Sequence, residues 1–287
     1  MNSKKLVLKP VDISVFLYLL ITALLIFAFS QRLQDHTSHL LFRLGVLLFL
    51  GFLLIWEQKK PSPFLNFIHL FYPILLLTYL FGETAWFNHL FFSHPFDDWL
   101  QKWDKLLFGF EPSVAFSKHY PEAWMSELLN LGYFSYYFMP VGVALAFFLK
   151  HPKKTDQAIF IIVTSFFIYY LFFIVFPSEG PHYYLDYPSN QAIHSGLFSH
   201  LVQTVEHYGD KPTGAFPSSH VGMTLIYLFL SWRRLPWLFW LILPFALLIC
   251  LATVYIKAHY AVDVLGGILS APLVYGLSRW MYRKIAN

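Results

Sequence analysis

QAIFIIVTSFFIYYLFFIVF, residues Gln157–Phe176, runs for 20 residues without one charged side chain. A helix needs about 20 apolar residues to cross the hydrocarbon of a bilayer. Backbone in lipid must satisfy its own hydrogen bonds, so such a run reads as a helix. Seven further apolar runs flank it: Val11–Ser30, His39–Trp56, Phe64–Phe81, Ser126–Leu149, His220–Trp232, Pro236–Ala252 and Ala261–Tyr282. The pattern predicts an all-α, polytopic integral membrane helical bundle of about eight transmembrane helices, with His220–Trp232 short for a full crossing. Composition agrees: 57% of the 287 residues are hydrophobic and 13% charged, against about 25% charged in soluble domains. That balance excludes a soluble enzyme and a disordered chain. Cys250, the single cysteine, lies inside one run, so neither a disulfide framework nor a thiolate metal site is available.

Basic residues set the expected orientation. Lys4, Lys5 and Lys9 precede the first run, and Lys59 and Lys60 follow the second. Lys150, Lys153 and Lys154 follow the fourth, Arg233 and Arg234 the sixth, and Arg283 and Lys284 the last. With eight alternating spans all of these fall on one side, which the positive-inside rule makes cytoplasmic, together with both termini. The first run is too long for a signal peptide and lacks a small-residue cleavage site, so it reads as a retained helix. Two long loops then face the other side. In Gly82–Met125 the apolar residues from Asp97 onward recur at helical spacing and predict an amphipathic helix in the interface. Pro177–Phe216, rich in Pro, Gly, Ser, His and Tyr, reads as irregular structure. No repeat or linker divides the chain, and residues 1–287 read as one membrane domain.

Ionisable groups at the mouths of spans are the candidates for chemistry. His259 and Asp263 are four apart, hence on one helix face. There the carboxylate can fix an imidazole tautomer and leave the other ring nitrogen nucleophilic; a helix-start polar pair that merely hydrogen-bonds reads equally well. Pro217-Ser218-Ser219-His220 reads as a helix start, with serine caps and free amides suited to an anion. An ordinary capped helix with an incidental histidine is the plainer reading. Two histidines and an aspartate also suit a divalent ion, but HExxH is absent and the serine-rich start would then have no role. A serine nucleophile lacks its GxSxG elbow.

At these two segments the chain resembles the type 2 phosphatidic acid phosphatase superfamily of lipid phosphatases and phosphotransferases. That family carries Pro-Ser-Gly-His and, later, Ser-Arg-x5-His-x3-Asp. Here they appear as Pro217-Ser218-Ser219-His220 and Ala252-Thr253-x5-His259-x3-Asp263. The segments Gly214–Ser218 and Asn130–Tyr137 look closest to the branch of inositol phosphorylceramide synthases. The resemblance covers roughly residues 97–287, the catalytic core; it makes the last six of the eight spans a six-helix core and residues 1–60 two additional N-terminal helices. It implies that His259 attacks phosphorus to form a phosphohistidine and that Asp263 orients it. It also implies that His220 is acid and then base, and that Ser218 and Ser219 hold the phosphoryl oxygens. No cofactor or metal is implied. The expected partners are a lipid phosphate or phospholipid and the bilayer of a cell or inner membrane, with no nucleic acid.

The departures bear on substrate. Thr253 stands where the phosphatases carry Arg, their Lys-x6-Arg-Pro motif is absent, and His182 stands where related sequences often carry Arg. Guanidinium pairs bind phosphate strongly and bidentately. A site short of them suits a less charged phosphodiester, as in phospholipid head-group transfer, unless His182, Lys211 and Lys257 compensate. The acceptor is then water or an alcohol. From a different class, a transporter using intramembrane His and Asp is the alternative, as is a family member without activity. With unperturbed histidines, activity should rise and fall near pH 6–7.

Overall fold

A computed structural model describes residues 8–185, 196–209 and 211–286. Lys4, Lys5 and the middle of the second long loop lie outside the described residues. In chain order the helices are α1 (Pro10–Ala28), α2 (His36–Lys59), α3 (Pro63–Phe87), α4 (Asp97–Phe108), α5 (Pro112–His119) and α6 (Ala123–Ser135). A 3-10 turn (Tyr136–Phe138) joins α6 to α7 (Met139–Lys150). Then come α8 (Pro152–Val175), the single turn α9 (Pro181–Tyr184), α10 (Leu197–Gly209), α11 (Ser219–Ser231), α12 (Pro236–Tyr255) and α13 (Ala261–Ile285). The described residues contain no strand.

The run that decided the fold is also the axis of the bundle. α8 packs against α1, α3, α7, α11 and α13, and Ala158–Val163 are each at most 1% exposed. A helix apolar on every side belongs in such a position. Hydroxyls join it to its neighbours: Ser14 with Thr164 (2.8 Å), Ser165 with Ser278 (3.0 Å), and Tyr169 with Ser270 (2.9 Å). Such interhelical bonds substitute for the hydrophobic drive that lipid does not supply between helices.

Among the described residues, seven helical segments are long and apolar enough to cross a bilayer, α6, the 3-10 turn and α7 counting as one of 28 residues. α11, the sixth expected span, is apolar but has 13 residues, about 20 Å against a hydrocarbon core of about 30 Å. The segment that leads into it is itself sunk in protein: Thr213, Ala215 and Ser218 are buried. α11 thus starts below the rim of the bundle.

The loops need one correction. Pro177–Phe216 is not irregular throughout, because α10 occupies Leu197–Gly209. The turn-forming Pro and Gly residues stand on either side of this segment, while Phe198, Leu201, Val202 and Val205 recur at helical spacing within it. The Glu127 carboxylate on α6 accepts the amides of Phe198 and Ser199 (2.9 and 3.0 Å), capping α10 from a neighbouring helix. α5 was also not anticipated. The expected helix at Asp97 is present as α4, with Trp99, Trp103, Leu106 and Leu107 exposed and Asp97, Leu100 and Asp104 buried. Its apolar side faces out and its acids face in.

The two ends of the bundle differ. At one, Lys9 reaches Asn66 Oδ1 (2.8 Å), His69 sits between Asp12 and Glu57, and Arg234 bonds Gln157 Oε1 (3.1 Å). At the other lie the histidines singled out above.

α11 and α13 meet across glycine. A Cβ on Gly267 would stand 2.6 Å from the Ser218 carbonyl oxygen and 3.0 Å from Val221 Cβ. Gly267→Ala should therefore destabilise the bundle by about 1–3 kcal/mol, because backbone must move. Gly276→Ala, with no atom within 4 Å of the new Cβ, should be neutral. Thermal unfolding of both variants in detergent checks this.

Candidate active site

Two helix starts face each other here. α13 begins just after His259, and α11 begins at Ser219. The first amides of any helix lack acceptors within it. On α13 they are already taken: Ala261 and Val262 donate to the two oxygens of Asp104 (3.0 and 2.8 Å), and Tyr260 donates to Asp263 Oδ2 (2.8 Å). On α11 the Ser218 hydroxyl caps the Val221 amide and the Ser218 amide donates to the Asp263 carbonyl (3.0 Å). Ser219 and His220, the first two helical residues, keep amides with no acceptor inside the helix. The electropositive helix end at this site is therefore that of α11.

His259 is buried, and its Nδ1 lies 2.7 Å from the carbonyl oxygen of Ala215. A carbonyl only accepts, so Nδ1 carries the proton and Nε2 the lone pair. Nε2 in turn lies 3.1 Å from Nδ1 of His220. Asp263 Oδ2 stands 3.4 Å from His259 Nδ1 and accepts the Tyr260 amide. The tautomer is thus set mainly by a backbone carbonyl, with a carboxyl oxygen of Asp263 nearby. His220 is gripped by aromatic rings, Tyr133 at 4.8 Å and Tyr136 at 4.3 Å between centroids.

The Ala215 carbonyl is held from three sides. Ser178 accepts the Phe216 amide on its hydroxyl (2.9 Å) and the Ala215 amide on its carbonyl (3.3 Å). Asp97 of α4 accepts the amides of Glu179 and Gly180 (2.9 and 2.8 Å), which fixes the Ser178 loop. From α3, Asn88 donates to the Pro212 carbonyl (2.6 Å) and accepts from Thr213 (2.9 Å), while Thr84 meets Thr213 at 3.2 Å. Asp97 and Asp104 share a face of α4 with buried Leu100, so one short helix clamps both the Ser178 loop and the start of α13.

A pocket of about 30 Å³ opens in front of the two histidines, lined by Ser219, His220, His259, His182, Lys211 and Glu179 among others. By the measure in which a water needs roughly 10–15 Å³, this is room for one small tetrahedral anion. Of the residues singled out from the sequence, His259, His220, Ser219, His182 and Lys211 line it. Ser218 and Asp263 are buried beside it in structural hydrogen bonds. Lys257 is not in the lining: it adopts φ +67° and its carbonyl accepts the His182 amide (2.9 Å). Thr253, where the family has Arg, turns its hydroxyl to the Ile249 carbonyl of its own helix (3.0 Å).

Burial pushes the His259 imidazole down to about 4, the Ala215 hydrogen bond opposing that shift. The ring is therefore neutral at physiological pH, with Nε2 carrying a lone pair. Glu179 moves the other way: burial first, then the Asp97 charge, raises its carboxyl. Burial also lowers the Lys257 ammonium.

Ser178, Asp97, Asp104 and Asn88 were not picked out from the sequence. The two aspartates carried one readable signal, a seven-residue spacing that puts them on one face with Leu100. Ser178 and Asn88 act through side chains on loop groups far away in the chain, and carried none.

A family profile described as the PAP2 superfamily matches residues 98–277, well over half of the chain, including both histidine segments. A PA-phosphatase related-family protein of Dictyostelium discoideum is 26% identical over 165 residues, 50% of this chain and 30% of that protein. The chain thus spans less than a third of that relative's length. No solved structure matches.

Two outcomes follow from the geometry. A protonated imidazole has no lone pair with which to attack, so if His259 is the nucleophile, kcat/KM should fall as pH drops through about 4, the free-enzyme value that this ratio reports. That places the acid limb well below the pH 6–7 of an unperturbed imidazole, and a pH–rate profile measures it. Ser178→Ala leaves the Phe216 amide unpaired, at a cost of about 1–3 kcal/mol. It should lower kcat more than it raises KM, which steady-state kinetics resolves.

Proposed function

The chain belongs to the PAP2 superfamily, and from that footing we propose that it is an integral-membrane enzyme that cleaves a lipid phosphate ester through a phosphohistidine on His259. The observation that carries this reading is the His259 Nε2 lone pair, aimed at His220 Nδ1 across 3.1 Å at the wall of an anion-sized pocket. An incoming phosphoryl group enters beside both rings. Its oxygens take the amides of Ser219 and His220, the Ser219 hydroxyl, and the cationic Lys211. Negative charge on the substrate favours the imidazolium form of His220.

In the first step Nε2 of His259 bonds to phosphorus and the ester P–O bond breaks. The departing oxygen takes a proton from the His220 imidazolium, which becomes neutral. The His259 ring then carries phosphorus on Nε2 and its proton on Nδ1, stabilised by the Ala215 carbonyl. In the second step neutral His220 takes a proton from water or an alcohol as that oxygen bonds to phosphorus. The N–P bond breaks, the electron pair returns to Nε2, and both rings are reset. These are general acid–base and nucleophilic roles assisted by preorganised donors. No metal takes part in them.

The pocket has no arginine, and Glu179 adds negative charge to its wall. This favours a phosphate of lower charge, and so head-group transfer from a phospholipid over hydrolysis of a monoester. The basic residues Lys9, Arg233, Arg234, Arg283 and Lys284 belong to the end away from the histidines, which puts that end and the described chain termini in the cytoplasm by the positive-inside rule. The reaction then occurs at the non-cytoplasmic face.

His259→Gln and His220→Gln should each lower turnover by at least about a thousandfold. Reconstitution with phosphatidic acid, or with a phospholipid plus candidate alcohols, followed by mass spectrometry of the products, separates hydrolysis from transfer. Acid-labile phosphate on residue 259 is expected in wild type and not in His259→Gln. Undiminished activity of His259→Gln overturns the reading.

A further inference from the structure

Glu179 has the wrong charge for the place it occupies. It stands in the turn between α8 and α9, half-buried in the wall of the anion pocket together with Lys211, His182 and Tyr183. The Asp97 carboxylate accepts its backbone amide (2.9 Å) and so fixes its position. Among the described residues its own carboxylate forms no ion pair, and the basic group whose charge reaches it is the exposed His89. Apart from its histidines, the pocket wall thus carries the cation of Lys211 and the anion of Glu179. A plain phosphodiester satisfies Lys211 and leaves Glu179 facing a second negative charge. A phosphodiester that also bears a cation satisfies both. Space for that cation adjoins the pocket. His182 and Tyr183 also line an open groove of about 720 Å³ between α9 and α10, whose α10 side includes Gln203, Thr204 and Glu206. No lysine or arginine of the described residues lines this groove. Tyr183, at the junction, is an aromatic of the kind that attracts ammonium groups.

We propose that this groove is the head-group subsite of the active site, and that Glu179 selects an ammonium-bearing alcohol esterified to the phosphate. The inference rests on the function proposed above and narrows its substrate to a zwitterionic phospholipid. His259 bonds to phosphorus, the ester bond on the lipid side breaks, and the departing oxygen takes the His220 proton. The amino alcohol stays esterified to the phosphorus on His259, with its ammonium against Glu179. It leaves when the acceptor oxygen, giving its proton to His220, bonds to phosphorus and the N–P bond breaks. Glu179 holds the same group through both steps and touches no bond that changes. Burial and the neighbouring Asp97 charge raise its carboxyl, the response of an acid short of a counter-ion, and a bound ammonium opposes that shift.

Phosphatidylethanolamine and phosphatidylglycerol are two phosphodiesters that differ in the ammonium. Each is offered to the full chain in maltoside micelles, with water or hexadecanol as acceptor, and released diacylglycerol is measured. Wild type should turn over the ethanolamine lipid with a kcat/KM about tenfold or more above that for the glycerol lipid. Glu179→Gln should lower the first value by about tenfold and raise the second, while Glu179→Asp should keep part of the preference. Because the two lipids respond in opposite directions, a loss of folded protein does not mimic this result. An unchanged ratio in Glu179→Gln, or an equal fall for both lipids, overturns the head-group subsite, and phosphate on residue 259 in the same protein leaves the phosphohistidine standing. If neither lipid turns over, calorimetry with phosphoethanolamine and glycerol 3-phosphate decides. Selective weakening of phosphoethanolamine by Glu179→Gln keeps the subsite and overturns the phosphohistidine reading. Binding that is absent, or indifferent to the substitution, overturns both.

Discussion

One hydrogen bond governs the site: the proton on His259 Nδ1 given to the Ala215 carbonyl at 2.7 Å. It decides which ring nitrogen holds the lone pair, and it does so in a buried place where an unpaired N–H is costly. A backbone carbonyl cannot change its charge with pH or salt, so this orientation is insensitive to both. The arrangement only works if residues 213–219 stay where they are. Ser178, Asp97, Asn88 and Thr84 all act on that loop or on the one beside it. Much of the polar structure at this end of the bundle holds a single peptide group still.

Membrane burial explains how few residues are needed. α8 is packed on all sides, and α11 and α13 approach so closely that Gly267 has no room for a Cβ. A histidine at the start of each of these helices inherits the rigidity of the pair. The short α11 places its first turn below the rim, away from bulk water, where helix-end charge and hydrogen bonds act in a lower dielectric.

Legibility in the sequence tracks the range of the interaction. Apolar runs of about 20 residues, such as Gln157–Phe176, announce helices because lipid leaves the backbone no other choice. His220, His259 and Asp263 were readable because their spacing within local helix starts carries chemistry. α10 carried a helical spacing at Phe198, Leu201, Val202 and Val205, but its N-terminal cap is Glu127, some 70 residues earlier in the chain, and no local pattern records such a partner. The role of Asp263 was half legible: its proximity to His259 follows from i,i+4 spacing, but its hydrogen bond goes to the Tyr260 amide. The amphipathic helix from Asp97 onward was legible, but the inward turn of Asp97 and Asp104 was not; it follows from a general property of buried helix starts, which attract carboxylates from any element within reach.

That attraction has a consequence for selectivity. With Asp104 and Asp263 seated on its first amides, α13 presents a neutralised helix end, and an anion approaching the bundle finds only one cradle instead of two competing ones. In the proposed reaction the phosphorus is thereby directed to the side of His259 that bears the lone pair. Self-neutralisation of the second helix acts as a guard against unproductive docking.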